Sequence, residues 1–337
     1  MKTFHFLRAT MILAAFGIMI ACNKSNVNNG SSTSSDDANL VTQADDQAQV
    51  STEDEAMTND VNNALYAQSD IAGNSASGTS SASGTTVVNS TNEVNGVNGP
   101  ITHLICDATI VVDLNSDPRT ITITYNGSNC WGNRTRTGTV VISIPQGVHW
   151  KDAGATVTLS IQDLKITRVR DGKSITLNGT KTFTNVSGGL LINLASLGTI
   201  THTISGDLSI TFDNGDQRTW SVSKQRVFTY DNGIVITTTG THADSLGNTN
   251  VAEWGTNRFG TGFESLISTP KVIRQDCDFR LTSGQNTILR TDNITTVITY
   301  GLDSNGDPTS CPGTGTYYFK VVVTKPNGKV YTKILPY

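Results

Sequence analysis

The chain has 337 residues, of which 36% are hydrophobic and only 15% charged, and its net charge is −4. It is too long for one small domain, too polar for a multi-span membrane protein and too rich in aromatic residues for wholesale disorder. Abundant Thr, Ser, Asn and Gly with little charge fit an extracytoplasmic β protein better than a helical cytosolic enzyme.

The N-terminus opens with Lys2 and Arg8, and an apolar run follows from Ala9 to Ala21. A positive start, a short apolar stretch and a small residue at the cut describe a secretory signal. The run is too short for a comfortable membrane-spanning helix. It ends Met19-Ile20-Ala21-Cys22, which resembles the lipobox of bacterial lipoproteins, with Met19 where Leu is usual. The resemblance implies removal of residues 1–21 and acylation of Cys22. Two or three acyl chains give stable anchoring where one is marginal. Asn23 follows the cysteine, and by the same resemblance it favours the outer membrane over inner-membrane retention. No acid precedes Asp36, so the periplasmic face is expected rather than the cell surface.

Residues 22–44 read as a flexible polar tether and residues 45–72 as an amphipathic helical segment. Val50, Met57, Val61, Ala64 and Leu65 recur at helical spacing, and the acids gather in the first half, where the helix dipole favours them. That stripe is expected to pack on the body or to meet a partner. Residues 73–100 form a Ser/Gly/Asn-rich linker. Charge is unevenly divided: residues 22–100 hold ten acids and one lysine, whereas residues 101–337 hold 21 basic and 18 acidic groups. Neither part shows the basic stripe of a nucleic-acid binder, so no nucleic acid is expected as partner.

From residue 101 onward the pattern is that of strands. Ile121, Ile123 and Tyr125 alternate with threonines, as do Val157, Leu159 and Ile161 with Thr158 and Ser160, and Leu208, Ile210 and Phe212 with Ser209 and Thr211. Asp171-Gly172, Asn178-Gly179, Asn214-Gly215, Asn232-Gly233 and Asn327-Gly328 punctuate the runs as hairpin turns. A three-strand meander is expected from Gly206 to Thr241, and no long helix after residue 100. The fold class is therefore all-β, an antiparallel β-sandwich or a large twisted antiparallel sheet, preceded by the helix and tether.

The two ends of the β body (101–337) look alike. Cys106-Asp107 precedes a strand ending Thr124-Tyr125 and then Cys130; Cys277-Asp278 precedes one ending Thr299-Tyr300 and then Cys311. The repeat spans 106–144 and 277–323. Four cysteines beyond Cys22 suggest disulfides in an oxidising envelope and allow three pairings. The repeat favours Cys106–Cys130 and Cys277–Cys311. The rival reading is a four-cysteine metal site, which lacks any Cys-x-x-Cys pair.

These segments, with NRTRTGTVVISI, VHWKDAGATVTLSIQDLKI, LNGTKTFTNV and NGKVYTKILPY, resemble a group of uncharacterised Bacteroidota envelope lipoproteins. The likeness covers most of 101–337 and the acidic helix. It implies the fold and carries no activity. ITITYNG stands where a strand closer to TIDFG is expected, so no role falls to an aspartate there.

No catalytic motif stands out. The histidines His5, His103, His149, His202 and His242 have no metal-ligand spacing, and no nucleophile elbow, phosphate loop or dinucleotide fingerprint occurs. No cofactor is expected. Asp303, Asn305 and Asp307 resemble part of a calcium loop but read first as a hairpin turn. Trp131, beside Arg134 and Arg136, and Trp254 are the tryptophans best placed for exposure and for a sugar. Asp244-Ser245-Leu246 matches a short O-glycosylation signal at Ser245.

The leading expectation is a membrane-anchored envelope lipoprotein, a structural or interaction module without evident catalysis. Its partners would be the membrane, through the lipid on Cys22, and a glycan or an envelope protein. The alternatives are a glycan-binding lipoprotein for polysaccharide capture and a hydrolase whose residues converge only in space.

Overall fold

A computed structural model describes residues 35–74, 86–89, 105–309, 311 and 315–336. Cys22 and the expected signal peptide lie outside these residues, as does His103.

The β body is one antiparallel sheet, not a sandwich of two. Its path runs β1 (Thr86–Asn89), β2 (Ala108–Asp113), β3 (Arg119–Ser128), β4 (Arg134–Ile144), β5 (Ala155–Arg168), β6 (Ser174–Asn185), β7 (Thr199–Phe212) and β8 (Gln217–Tyr230). It continues through β10 (Val251–Thr256), β11 (Gly262–Arg274), β12 (Arg280–Arg290), β13 (Thr295–Leu302), β14 (Tyr318–Thr324) and β15 (Val330–Pro336). β9 (Ile234–Gly240) lies off this path. The sheet forks: β8 pairs with β9 along its C-terminal half and with β10 nearer its start, and β11 pairs with the same two strands. The expected meander is β7, β8 and β9, turned at 214–215 and 232–233.

Asn178-Gly179 is not a turn but lies inside β6. The Asn178 side chain accepts from the Asp163 backbone N–H at 2.8 Å, at a register shift between β5 and β6. At Gly179 (φ +141°) a Cβ would lie 2.3 Å from the Asp207 carbonyl oxygen. A local turn signal was thus a close strand approach, which also calls for glycine.

The helix differs most from expectation. It runs from Ser35 to Ala67 (α1), beginning within the segment read as tether, and a short second helix, Ser69–Ala72 (α2), follows. Strand β1 likewise lies in the segment read as linker. The expected stripe of Val50, Met57, Val61, Ala64 and Leu65 is buried, but so are Asp45, Asp46, Glu53, Asp54, Glu55 and Asp60. Among the described side chains, α1 has no wet acidic face. The sheet curls around it, and side chains from β4, β5, β6, β8, β11 and β12 bond to it. Thr52, Ala56 and Asn63 keep partial exposure at helical spacing, which marks an open seam along the helix.

The alternation of β8 shows how the sheet accommodates charge. Its inward positions are Arg218, Trp220, Val222, Lys224, Arg226 and Phe228, all buried. Apolar groups fill the layer beneath the helix, and cations within the same register reach its carboxylates. Outward positions elsewhere carry Thr122, Thr124, Thr158 and Ser160, which suit water.

Both disulfides follow the repeat. Cys106 joins Cys130 and Cys277 joins Cys311, with Cα atoms 5.1 Å and 4.9 Å apart. Each bridge flanks a Cys-Asp, strand, hairpin, strand order, β2–β3 in one case and β12–β13 in the other.

Candidate functional site

Acids on α1 meet bases on the strands along the length of the helix. Near its start, Arg168 grips Asp45 with two bonds of 2.9 and 2.7 Å, and Arg258 grips Asp46 with two of 2.6 Å. At the middle, Asp54 takes Lys181 and Lys224, while Lys224 also reaches Glu253 of β10 at 2.8 Å. Further on, Arg134 donates to Glu53 at 2.5 Å and Arg136 to Asp60 at 2.7 Å, and the Tyr125 hydroxyl donates to Asp60 at 3.0 Å. Asp107 holds the rest of the Arg136 guanidinium at 2.6 and 2.7 Å.

Burial and partners compete at each acid. Burial alone would raise the Asp54 carboxyl, but the two ammonium groups overcome it and hold it at about 2. Burial would also raise Glu253, and Lys224 and Lys271 push it below its ordinary value instead. At Asp46 burial wins over Arg258 and raises the carboxyl to about 6. His202 is packed between Trp150 and Phe228, and burial, aided by the Arg226 charge, drives its imidazole down to about 3. It is a neutral core histidine.

The seam opens into a cavity of about 500 Å³. Its floor is α1, from Thr52 to Asp60; one wall is the turn between β3 and β4, with Trp131 and Arg134; the other is the segment after Cys277, with Phe279 and Arg280. The two disulfide-bonded ends of the body therefore face each other across the helix. Trp131 is 51% exposed. Asn129 and Asn133 bond to each other through their amides at 2.9 Å beside it. On the floor, the Glu55 side chain is buried and its Oε2 lies 3.4 Å from Arg226 but receives no hydrogen bond.

The other sequence candidates lie apart from this cavity. Trp254 is half-buried on β10 and stacks on His242 with ring centroids 4.2 Å apart. Trp150 and Trp220 are core residues. Asp303 spends its Oδ1 on the backbone N–H groups of Asn305 and Asp307, as an ordinary turn does. Ser245 is exposed in a loop beside Leu246.

Sequence reading placed Trp131, Arg134 and Arg136 in one polar turn but missed Glu53, Glu55, Asp60, Phe279 and Arg280 as their neighbours. A usable signal was present. Arg218, Lys224 and Arg226 occupy the apolar register of a strand, and cations in that register require buried anions, which the dense acids of the helix supply.

Chemically the cavity offers one exposed indole, engaged guanidinium groups, the floor carboxylates of Glu53, Glu55 and Asp60, and the exposed carboxylate of Asp278 on the far wall. Glu53 and Asp60 each have one carboxylate oxygen engaged by an arginine, Arg134 and Arg136 respectively, which fixes their orientation at the floor. No helix among the described residues is long and apolar enough to cross a membrane. Comparison with family models, curated proteins and solved structures finds no match to the chain.

Proposed function

We propose that the chain is an outer-membrane lipoprotein, held by acyl chains on Cys22, whose β body serves the envelope as a binding and interaction module on the periplasmic face. The anchor rests on the sequence: Lys2 and Arg8, the apolar run, and Ala21-Cys22 at its end. Binding without catalysis rests on one observation, the engagement of Glu53 and Asp60 by arginines at the cavity floor. A hydrolase working through Glu53 and Asp60 would need both free to give and take protons, and each is held by an arginine. Outward-facing threonines and serines suit a body that stands in water beside the bilayer.

The test is metabolic labelling with an alkynyl palmitate in a Gram-negative host, read by gel fluorescence and by the mass of the N-terminal peptide. The wild-type protein should carry label and begin at an acylated Cys22. Cys22→Ala should carry no label and stay uncut. A mature protein beginning elsewhere, or equal label on Cys22→Ala, contradicts the proposal. Protease shaving of intact cells then reads the facing, and a protected body is expected.

A further inference from the structure

We infer that the cavity between the Cys130 turn and the segment after Cys277 binds a short stretch of an uncharged sugar chain, with the Trp131 indole against a ring face and the exposed Asp278 carboxylate taking a hydroxyl hydrogen at the wall. The inference deepens the interaction-module reading and rests on it.

Size is the first argument. A space of about 500 Å³ falls within the range of small-ligand sites and leaves room for more than one sugar ring.

Charge is the second. Glu53 is met by Arg134, Glu55 by Arg226, and Asp60 shares Arg136 with Asp107, while Asp278 and Arg280 add one charge of each sign on the far wall, so acids and bases around the cavity nearly offset one another. An anionic ligand would meet the helix carboxylates, and a cationic one would meet the guanidinium groups. Both are penalised, and a neutral polar ligand is not.

The third argument is an accessible acceptor. Asp278 on the far wall lines the cavity and is exposed, so its carboxylate stands open to a ligand hydroxyl. A carboxylate accepts such hydrogens through both of its oxygens.

The fourth is the indole. Trp131 presents an open aromatic surface while Trp150 and Trp220 are buried. It sits in a turn pinned by the Cys106–Cys130 bridge and by the Asn129–Asn133 bond. A flat apolar face held at the rim of a polar cavity matches the C–H face of a sugar ring, whose hydroxyls then point to the polar floor.

The full mature protein is titrated calorimetrically with maltopentaose, cellopentaose, xylopentaose and chitopentaose, with pentagalacturonate as the charged comparison. Tryptophan emission is followed in parallel. At least one neutral pentamer should bind and shift the emission, and pentagalacturonate should bind more weakly. Trp131→Ala removes an exposed side chain, so the fold should hold, and it should weaken binding about tenfold or more. Trp254→Ala should leave binding unchanged. The inference is overturned if none of the neutral pentamers binds at millimolar concentration, if pentagalacturonate binds as well as they do, or if Trp131→Ala binds undiminished. None of these outcomes alters the labelling of Cys22, so failure here is distinguishable from failure of the anchor.

Discussion

The ammonium of Lys224 on β8 lies 3.0 Å from the carboxylate of Asp54 on α1, and both side chains are at most 2% exposed. Lys181 on β6 reaches the same carboxylate. Two lysines from different strands thus converge on one helical acid, which fixes the axial position of α1 in the curled sheet. Buried ion pairs add little net stability against an apolar replacement, but losing one partner is costly because the other is stranded.

Asp54→Ala should therefore destabilise the protein by about 3–5 kcal/mol, since it strands the buried Lys181 and leaves Lys224 to Glu253. Urea unfolding measures this. Lys165→Ala, on the exposed face of β5, is the control and should change stability by less than about 0.5 kcal/mol. Equal effects at the two sites would mean that the helix does not occupy the interior.

Acid should unfold the protein in two stages. His202 has its folded-state pKa depressed from 6.5 to about 3, so the unfolded chain takes up its proton first and stability falls as pH drops through that window. Asp46 acts in the opposite sense: its carboxyl is raised from 3.8 to about 6, so the folded state binds the proton and gains stability as pH falls from 6 to 3.8. The two largely offset each other there. Asp45 and Asp54, both held at about 2, contribute stability that is present above 3.8 and lost as pH falls towards 2. The melting temperature should decline gently to about pH 4 and steeply below it. His202→Leu should remove part of the decline between pH 6.5 and 3.

Each disulfide closes a local loop, with sequence separations of 24 and 34 residues. Breaking either with a Cys→Ser pair should cost about 3–4 kcal/mol by the chain-entropy relation. Non-reducing peptide mapping should return Cys106 with Cys130 and Cys277 with Cys311. The first removal should also loosen the Trp131 turn, seen as a red shift in indole emission.

Gly301 is the penultimate residue of β13, at φ +76°, and a Cβ there would lie 1.8 Å from the Thr282 carbonyl oxygen. Gly301→Ala should destabilise by about 2 kcal/mol or more, because both the backbone region and the space oppose a side chain. Gly328→Ala, with a similar φ but nothing within reach of its Cβ, should cost less. Thermal unfolding of the two variants compares space against backbone conformation.

Strand existence and most turns were legible because period-two alternation and Asn-Gly or Asp-Gly pairs are local signals. Asn214-Gly215 and Asn232-Gly233 turn hairpins as read, whereas Asn178-Gly179 marks a backbone contact between β6 and β7 that no local pattern separates from a turn. The Cys pairings were legible through the repeat. The path of the helix was not. Val50, Met57 and Val61 suggested one apolar stripe, and the acids of α1 read as dipole partners near the helix start, whereas Arg134, Lys181 and Lys224 lie opposite them. The cavity was legible only on one wall, at Trp131, since its floor and far wall come from segments distant in the chain.

Hydrogen exchange resolved by residue tests the burial of α1 most directly. If the sheet closes around the helix, the amides of Val50, Asp54 and Val61 should exchange only through global unfolding, as slowly as those of Val222 and Lys224 in β8. Exchange of the helix amides within seconds, while β8 stays protected, would contradict it.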